Sequence, residues 1–273
     1  MPRTKTRSGT ELYVKDWGGG RPVILTHGWP LTADTWDDAA MAIADAGMRA
    51  IAYDRRGFGR SDHPWDGYDY DTFADDLADV MQATGATDAT IIGFSMGGGE
   101  VARYMSRHGG KGVAQAGLIS SVVPYMLQTP DNPDGVPQKT FDQMTEGMTE
   151  DRAHFFSSFF DDFYGVGFFE RPVSQEVLDW SVAQSMMAGL KPTLASAKAF
   201  ATTDFRPDLS ALTVPTLVIH GTSDKTVPID ATARVVKERV PAISYHEYDG
   251  APHGLFATHK EDLIRDILAF LRA

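Results

Sequence analysis

The chain has 273 residues, 42% of them hydrophobic and 23% charged, enough apolar sequence for one large core and too much for a disordered chain. Its formal net charge of −12 opposes a phosphate backbone or an anionic membrane surface, so neither nucleic acid nor membrane is expected as a partner. It has no cysteine, which excludes disulfides, thiolate metal sites and a cysteine nucleophile together.

In chain order, the opening "MPRTKTRSGTELYVKDW" is polar and basic and contains no apolar leader. No run approaches the roughly 18 uninterrupted apolar residues of a membrane span, and the expectation is a soluble, cytoplasmic protein. "ELYVKDW" alternates as a strand does, "GGGRP" turns, and "VILTH" is a short buried run. "TWDDAAMAIADAG" has helical spacing and ends on Gly47 as a C-cap. "RAIAYD" reads as a strand, "DTFADDLADVMQATG" as a helix, "DATIIGF" as a strand, "GGGEVARYMSRHG" as a helix and "GVAQAGLISSVV" as a further strand. Such alternation predicts an α/β fold, a mostly parallel sheet with helices on both faces.

The rhythm breaks near Pro124. From there to about Pro207 the chain is rich in Phe and Met, shows no obvious strand and includes the turn-forming "TPDNPDGVP". Strand and helix alternate again through "VPTLVIH", "DATARVVKERV", "AISYHEYD" and "EDLIRDILAFLRA". The expected organisation is one core, residues 1–123 and 208–273, with a helical cap insertion, residues 124–207, over the end of the sheet.

Within "IIGFSMGGGE", Ser95 lies between Gly93 and Gly97, where a predicted strand meets a predicted helix. Gly-x-Ser-x-Gly alone is a weak signal, since the same residues make an ordinary glycine-lined turn. The strand-turn-helix context is what a nucleophile elbow requires: the turn leaves no room for flanking side chains, lifts the hydroxyl clear of the sheet and sets a helix N-terminus beneath it.

A serine nucleophile needs a base. His253, in "YDGAPHGLF", falls in the loop between the last predicted strand and the last helix. Of the other histidines, His246 lies inside a strand and His259 beside a helix start, in surface or packing roles. His27 and His220 end strands in His-Gly pairs and are read as loop-shaping, whereas His63, His108 and His154 are read as solvated and without partners. Asp224, in "VIHGTSDKTVP", supplies the orienting carboxylate; Asp230 is read as a helix cap and Asp249 as a turn residue. The order Ser95, Asp224, His253 is that of the α/β-hydrolases. The oxyanion donors are then the N–H of Met96, after the nucleophile, and that of Trp29, in the "THGWP" loop. Pro30 cannot donate, and it biases Trp29 toward extended backbone.

"THGWPLTADTWD", "YDRRGFGRSD", "YDYDTFADDL", "GFSMGGGEVARY", "TDFRPDL", "VPTLVIHG" and "APHG" closely resemble the bacterial arylesterase and cofactor-free haloperoxidase (perhydrolase) family of α/β-hydrolases. The likeness runs over nearly the whole chain, including "DRAHFFSSFF" and "FYG" in the cap. It implies the triad and oxyanion donors above, no cofactor and no metal, and peracid release as the indirect source of halogenation. It also implies an acyl pocket lined by Trp29, Phe94, Met96, Val122, Phe159, Phe163, Val227 and Leu255, and links a proline after the oxyanion tryptophan, here Pro30, to perhydrolysis.

The expected activity is therefore hydrolysis of small-molecule esters through an acyl-enzyme, with perhydrolysis and acyl transfer as side reactions and self-association into a homo-oligomer left open. Serine at the elbow argues against haloalkane dehalogenases and epoxide hydrolases, which place aspartate there. Lactam hydrolysis, carbon-carbon cleavage and cyanohydrin chemistry keep the same triad and stay open, and a non-catalytic ligand receptor of the same fold is the alternative from another class.

Overall fold

Strand and helix follow one another as the apolar pattern predicts, and the computed structural model describes residues 3–240 and 243–273. Met1 and Pro2 of the basic start, and Ala242 at the head of the last predicted strand, lie outside the described residues. The strands are β1 (Arg3–Lys5), β2 (Glu11–Gly18), β3 (Pro22–Thr26), β4 (Arg49–Tyr53), β5 (Ala89–Phe94), β6 (Val113–Ile119), β7 (Thr216–Gly221) and β8 (Ile243–Tyr248). Helices α1 (Asp37–Asp45), α2 (Tyr70–Thr84), α3 (Met96–Arg107), α8 (Ala233–Arg239), α9 (Leu255–Thr258) and α10 (Lys260–Arg272) accompany the sheet. Four more, α4 (Gln138–Glu150), α5 (Arg152–Tyr164), α6 (Gln175–Met186) and α7 (Leu190–Thr202), fall between β6 and β7.

The sheet order is β1-β2-β4-β3-β5-β6-β7-β8, with β1/β2 and β2/β4 antiparallel and every other pairing parallel. All six residues of β5 are buried, as expected of a central parallel strand covered on both faces, whereas β8 at the edge is only partly covered. The chain leaves β3 toward β4 on one side and leaves β5 toward β6 on the other. The carboxyl ends of β3 and β5 therefore flank a topological switch point, the place where open α/β sheets bind ligands.

Local chemistry sets the helix ends. Asp69 accepts from the Thr72 N–H to start α2, and Gly85 at φ 64° closes it. Three sequence expectations differ from the fold. The three-residue β1 and four-residue α9 are too short to produce a periodic signal. Helix α8 begins only at Ala233, and Asp230 does not cap it: its carboxylate pairs with Arg234 Nη1 at 2.7 Å.

Candidate active site

Ser95 sits between β5 and α3 with φ 54° and ψ −118°, a backbone conformation that L-residues avoid and that persists where the surroundings enforce it. The glycines explain how it is tolerated. A Cβ on Gly93 would lie 2.2 Å from the Gly97 carbonyl oxygen, and one on Gly97 would lie 2.5 Å from that of Thr26. The Ser95 N–H donates to the Ile119 carbonyl at 2.8 Å, which pins the elbow to β6.

Three side chains meet there. His253 Nε2 is 2.9 Å from Ser95 Oγ, and His253 Nδ1 is 2.6 Å from Asp224 Oδ2. All three are buried, Ser95 at 5% exposure. The other carboxylate oxygen of Asp224 accepts from the N–H groups of Thr226 at 2.9 Å and Val227 at 2.8 Å. Burial opposes ionisation of Asp224, but the charge of His253 and hydrogen bonds from His220 and His253 outweigh it and hold the carboxyl well below the usual carboxylate range.

His220 is therefore more than the loop-shaping residue the sequence implied. It lies within β7, wholly buried, with Nε2 2.9 Å from the Val227 carbonyl oxygen and 3.2 Å from Asp224 Oδ2. Because Nε2 faces only acceptors, that nitrogen carries the hydrogen. The available signal was the spacing "HGTSD", which puts His220 four residues before the acid. Ser120, also unflagged by the sequence, adopts φ 43° and donates its hydroxyl to the His253 carbonyl at 3.3 Å. His108 has a partner after all, its Nε2 2.8 Å from Asp75 Oδ1.

Trp29 lies three residues past the end of β3, and Met96 opens α3 directly after the serine. Among the described residues neither N–H donates to a turn, loop or cap carbonyl. The loop carrying Trp29 is fixed from below. His27 Nε2 accepts the Arg55 backbone N–H at 2.9 Å, so its Nδ1 carries the hydrogen that reaches the Gly28 carbonyl at 2.8 Å. Burial, reinforced by the Arg55 charge, pushes the His27 pKa well below the usual imidazole range and keeps the ring neutral. Arg55 Nη2 also donates to the His27 carbonyl at 2.8 Å and to Glu100 Oε2 at 2.7 Å, a buried pair linking the loop to α3. From above, the Trp29 indole N–H donates to the Thr193 carbonyl of α7 at 3.1 Å, and its ring packs on Phe156, Phe159 and Phe200 with centroids 5.5 Å away. The Trp29–Pro30 peptide is cis, and Pro30 is buried.

A cavity of about 200 Å³ opens on Ser95. Trp29, Val122, Phe159 and Val227 of the expected pocket line it. Phe94, Met96, Phe163, Leu255 and Pro30 are not among its walls. Phe94 and Phe163 instead pack on the His253 ring, with centroids 5.0 and 4.8 Å away, and Leu255 donates its N–H to the His253 carbonyl at 2.9 Å. The Met96 side chain is fully buried, its sulfur 3.9 Å from Arg55 Nη1. Phe94, Phe163 and Leu255 thus pack around His253 and Met96 against Arg55, rather than lining the cavity. The walls the sequence did not single out include Met126, Phe141, Met144 and Phe200. They come from residues 124–207, whose packing the motifs do not specify.

Residues 21–260 match the family model described as the alpha/beta hydrolase fold. The chain belongs to the alpha/beta hydrolases. This hydrolase is 42% identical to the non-heme chloroperoxidase CPO-A1 of Kitasatospora aureofaciens over 99% of both chains. It is 41% identical to the bifunctional esterase/perhydrolase DCH of Acinetobacter calcoaceticus over the full length of both. Among solved structures, a bromoperoxidase from Bacillus anthracis superposes with a TM-score of 0.96 at 38% identity, covering 100% of this chain and 99% of that one. The haloperoxidase and esterase resemblance carried by the sequence motifs is therefore shown across the whole hydrolase, residues 124–207 included. No described helix of it is long and apolar enough to cross a membrane.

Proposed function

We propose that the protein is a serine hydrolase of small carboxylic esters, acting through an acyl-enzyme on Ser95 and able to pass the acyl group to hydrogen peroxide as well as to water. The observation that carries this reading is the continuous hydrogen-bond path from Ser95 Oγ through His253 to Asp224, with steps of 2.9 and 2.6 Å, beneath a largely apolar cavity. The cavity's volume of about 200 Å³ lies below the range of drug-sized ligand sites and favours small esters.

His253 Nε2 takes the Ser95 proton as Oγ attacks the ester carbonyl, and the N–H groups of Trp29 and Met96 receive the oxyanion. The imidazolium then protonates the leaving alcohol, leaving the acyl group on Ser95. Water, deprotonated by the same nitrogen, attacks the acyl carbon to give the acid; hydrogen peroxide in its place gives a peracid, and another alcohol or amine gives the transferred ester or amide. Asp224 holds His253 with Nδ1 protonated and stabilises its charged form. The relatives named as an esterase/perhydrolase and a chloroperoxidase support both fates of the acyl group.

The same reading takes residues 124–207 as a cap on a core formed by the rest of the chain, and places the protein in the cytoplasm with small molecules as its partners. Assembly into a homo-oligomer is a question for sedimentation. The test of function is labelling with a fluorophosphonate, followed by assay on p-nitrophenyl esters with and without peroxide. Labelling of the wild type that disappears in Ser95→Ala, together with ester turnover, is expected; a wild type that takes no label is a receptor and not an esterase.

A further inference from the structure

A second and larger concavity, about 680 Å³, lies between α4 and α7. Its apolar walls are Leu194, Ala195, Ala197 and Ala201, its polar ones include Asp142, Lys191 and Lys198, and it shares Phe141 and Met144 with the reaction cavity. Those two side chains, one turn apart on α4, are a partition with the cavity on one side and the groove on the other. Phe141 is closed against Phe200 with ring centroids 6.4 Å apart, and Phe200 in turn lies against Trp29 at 5.5 Å.

We propose that this groove is a second subsite, one that takes the distal end of an unbranched acyl chain when Phe141 and Met144 turn aside, so that the enzyme accepts medium-chain as well as short-chain acyl esters. The inference rests on the esterase reading of Ser95. Three observations support it. Phe141 and Met144 are the two residues that line both spaces, and aromatic and thioether side chains of this kind change rotamer without disturbing the helix. The reaction cavity of about 200 Å³ leaves little room beyond a short acyl group and a small alcohol, whereas the groove across the shared Phe141 and Met144 wall is more than three times larger. Direction selects the acyl chain: the departing alcohol must lie beside His253, near Thr226 and Val227 of the acid loop, while the partition is joined through Phe200 to Trp29.

Thr145 gives a clean test. It is exposed, lies one turn beyond Phe141, and lines the groove but not the reaction cavity. The quantity to measure is the ratio of kcat/KM for p-nitrophenyl octanoate to that for p-nitrophenyl acetate, beside the same ratio for octyl acetate. In Thr145→Trp, which plugs the groove, the octanoate ratio is expected to fall about tenfold; in Phe141→Ala, which opens the partition, it is expected to rise about tenfold. The double variant should return to the wild-type ratio or below it. Ala195→Trp is the alternative plug should Thr145→Trp unfold, and melting curves accompany every variant. The proposal is overturned if the plug leaves the octanoate ratio unchanged, if the gain in Phe141→Ala survives in the double variant, since the extra room would then lie inside the cavity itself, or if the plug acts on octyl acetate instead. A wild type that turns over none of the esters overturns the esterase reading itself.

Discussion

His220 and His253 approach the same carboxylate oxygen of Asp224, at 3.2 and 2.6 Å, from β7 and from the loop before α9 respectively. Asp224 Oδ2 thus accepts from His253 and lies beside the His220 Nε2–H, which also reaches the Val227 carbonyl at 2.9 Å, while Oδ1 accepts from two backbone N–H groups. His220→Phe removes one donor while keeping an aromatic ring of similar size. A hydrogen bond to a charged group contributes about 1.5–3 kcal/mol, so the variant is expected to lose stability by about that amount and turnover by about tenfold, with KM little changed. The sign of the pH effect follows from the depressed pKa of Asp224. Its stabilising contribution is complete above the unfolded value of about 3.9 and is lost as pH falls through the lower folded value. Losing the His220 donor raises that folded value, so melting curves between pH 7 and 3 should show the variant failing at a higher pH than the wild type. Superimposable acid limbs would mean that His220 does not act on Asp224.

Asp224→Asn tests the acid directly. The amide keeps one oxygen for the Thr226 and Val227 N–H groups but presents an NH₂ to His253, whose Nδ1 must then accept and shift its hydrogen to Nε2, facing Ser95. The expected loss of turnover is about 10² to 10⁴, with the fold intact. Asp249, which takes only a 3.3 Å bond from Thr222, is the control: an equal loss in Asp249→Asn with Asp224→Asn silent reassigns the acid.

Ser95→Ala keeps the elbow, because Gly93 and Gly97 and not the hydroxyl create the space for the turn. Esterase activity should fall by on the order of 10⁴ or more at wild-type melting temperature. A tenth of the wild-type rate on phenyl acetate would remove Ser95 as the nucleophile.

The meeting of Ser95, Asp224 and His253 and the mostly parallel sheet were legible because each depends on local rules: a glycine-flanked serine at a strand end, and an acid and a base in loops at the same edge. The cavity wall was legible only in part. Val122 and Val227 follow elements already placed by the motifs, but Phe141, Met144 and Phe200 reach Ser95 only through the packing of α4 and α7, which no local pattern determines. His220 escaped for a related reason, since a His-Gly pair at a strand end says nothing of which side chain the ring will face. The buried Arg55 and Glu100 pair escaped because it joins residues 45 apart in sequence.

That pair leads to a prediction of its own. Glu100→Ala leaves the Arg55 guanidinium buried, with only the His27 carbonyl and the Met96 sulfur as its remaining acceptors. Removing one partner of a buried ion pair costs about 3–5 kcal/mol, so the urea midpoint should fall sharply. Replacing both, as Arg55→Met with Glu100→Leu, should recover most of that stability without recovering activity, because the double variant no longer holds the His27 carbonyl beneath the Trp29 loop. Full activity in the double variant would show that this loop needs no support from Arg55.

We predict that Pro30 biases the choice between water and peroxide. Its ring fixes its own φ and restricts Trp29, while the Trp29 indole is held by the Thr193 carbonyl at 3.1 Å and by three phenylalanines. The carbonyl of residue 29 therefore has little freedom, and a fixed acceptor favours a nucleophile able to reach it while attacking the acyl carbon. Hydrogen peroxide has two O–H groups on adjacent oxygens: one proton goes to His253 while the other donates to that carbonyl. Water has a single oxygen, which cannot both attack and span the added distance. A difference of about 1.4 kcal/mol is enough to change the peroxide-to-water ratio tenfold. Pro30→Leu frees the backbone at residue 29 while leaving the indole clamped, so peracetic acid formation, read by monochlorodimedone bromination with acetate and peroxide, should fall relative to p-nitrophenyl acetate hydrolysis. An unchanged ratio of the two activities would assign Pro30 to packing alone and leave the enzyme an esterase without a built-in preference for peroxide.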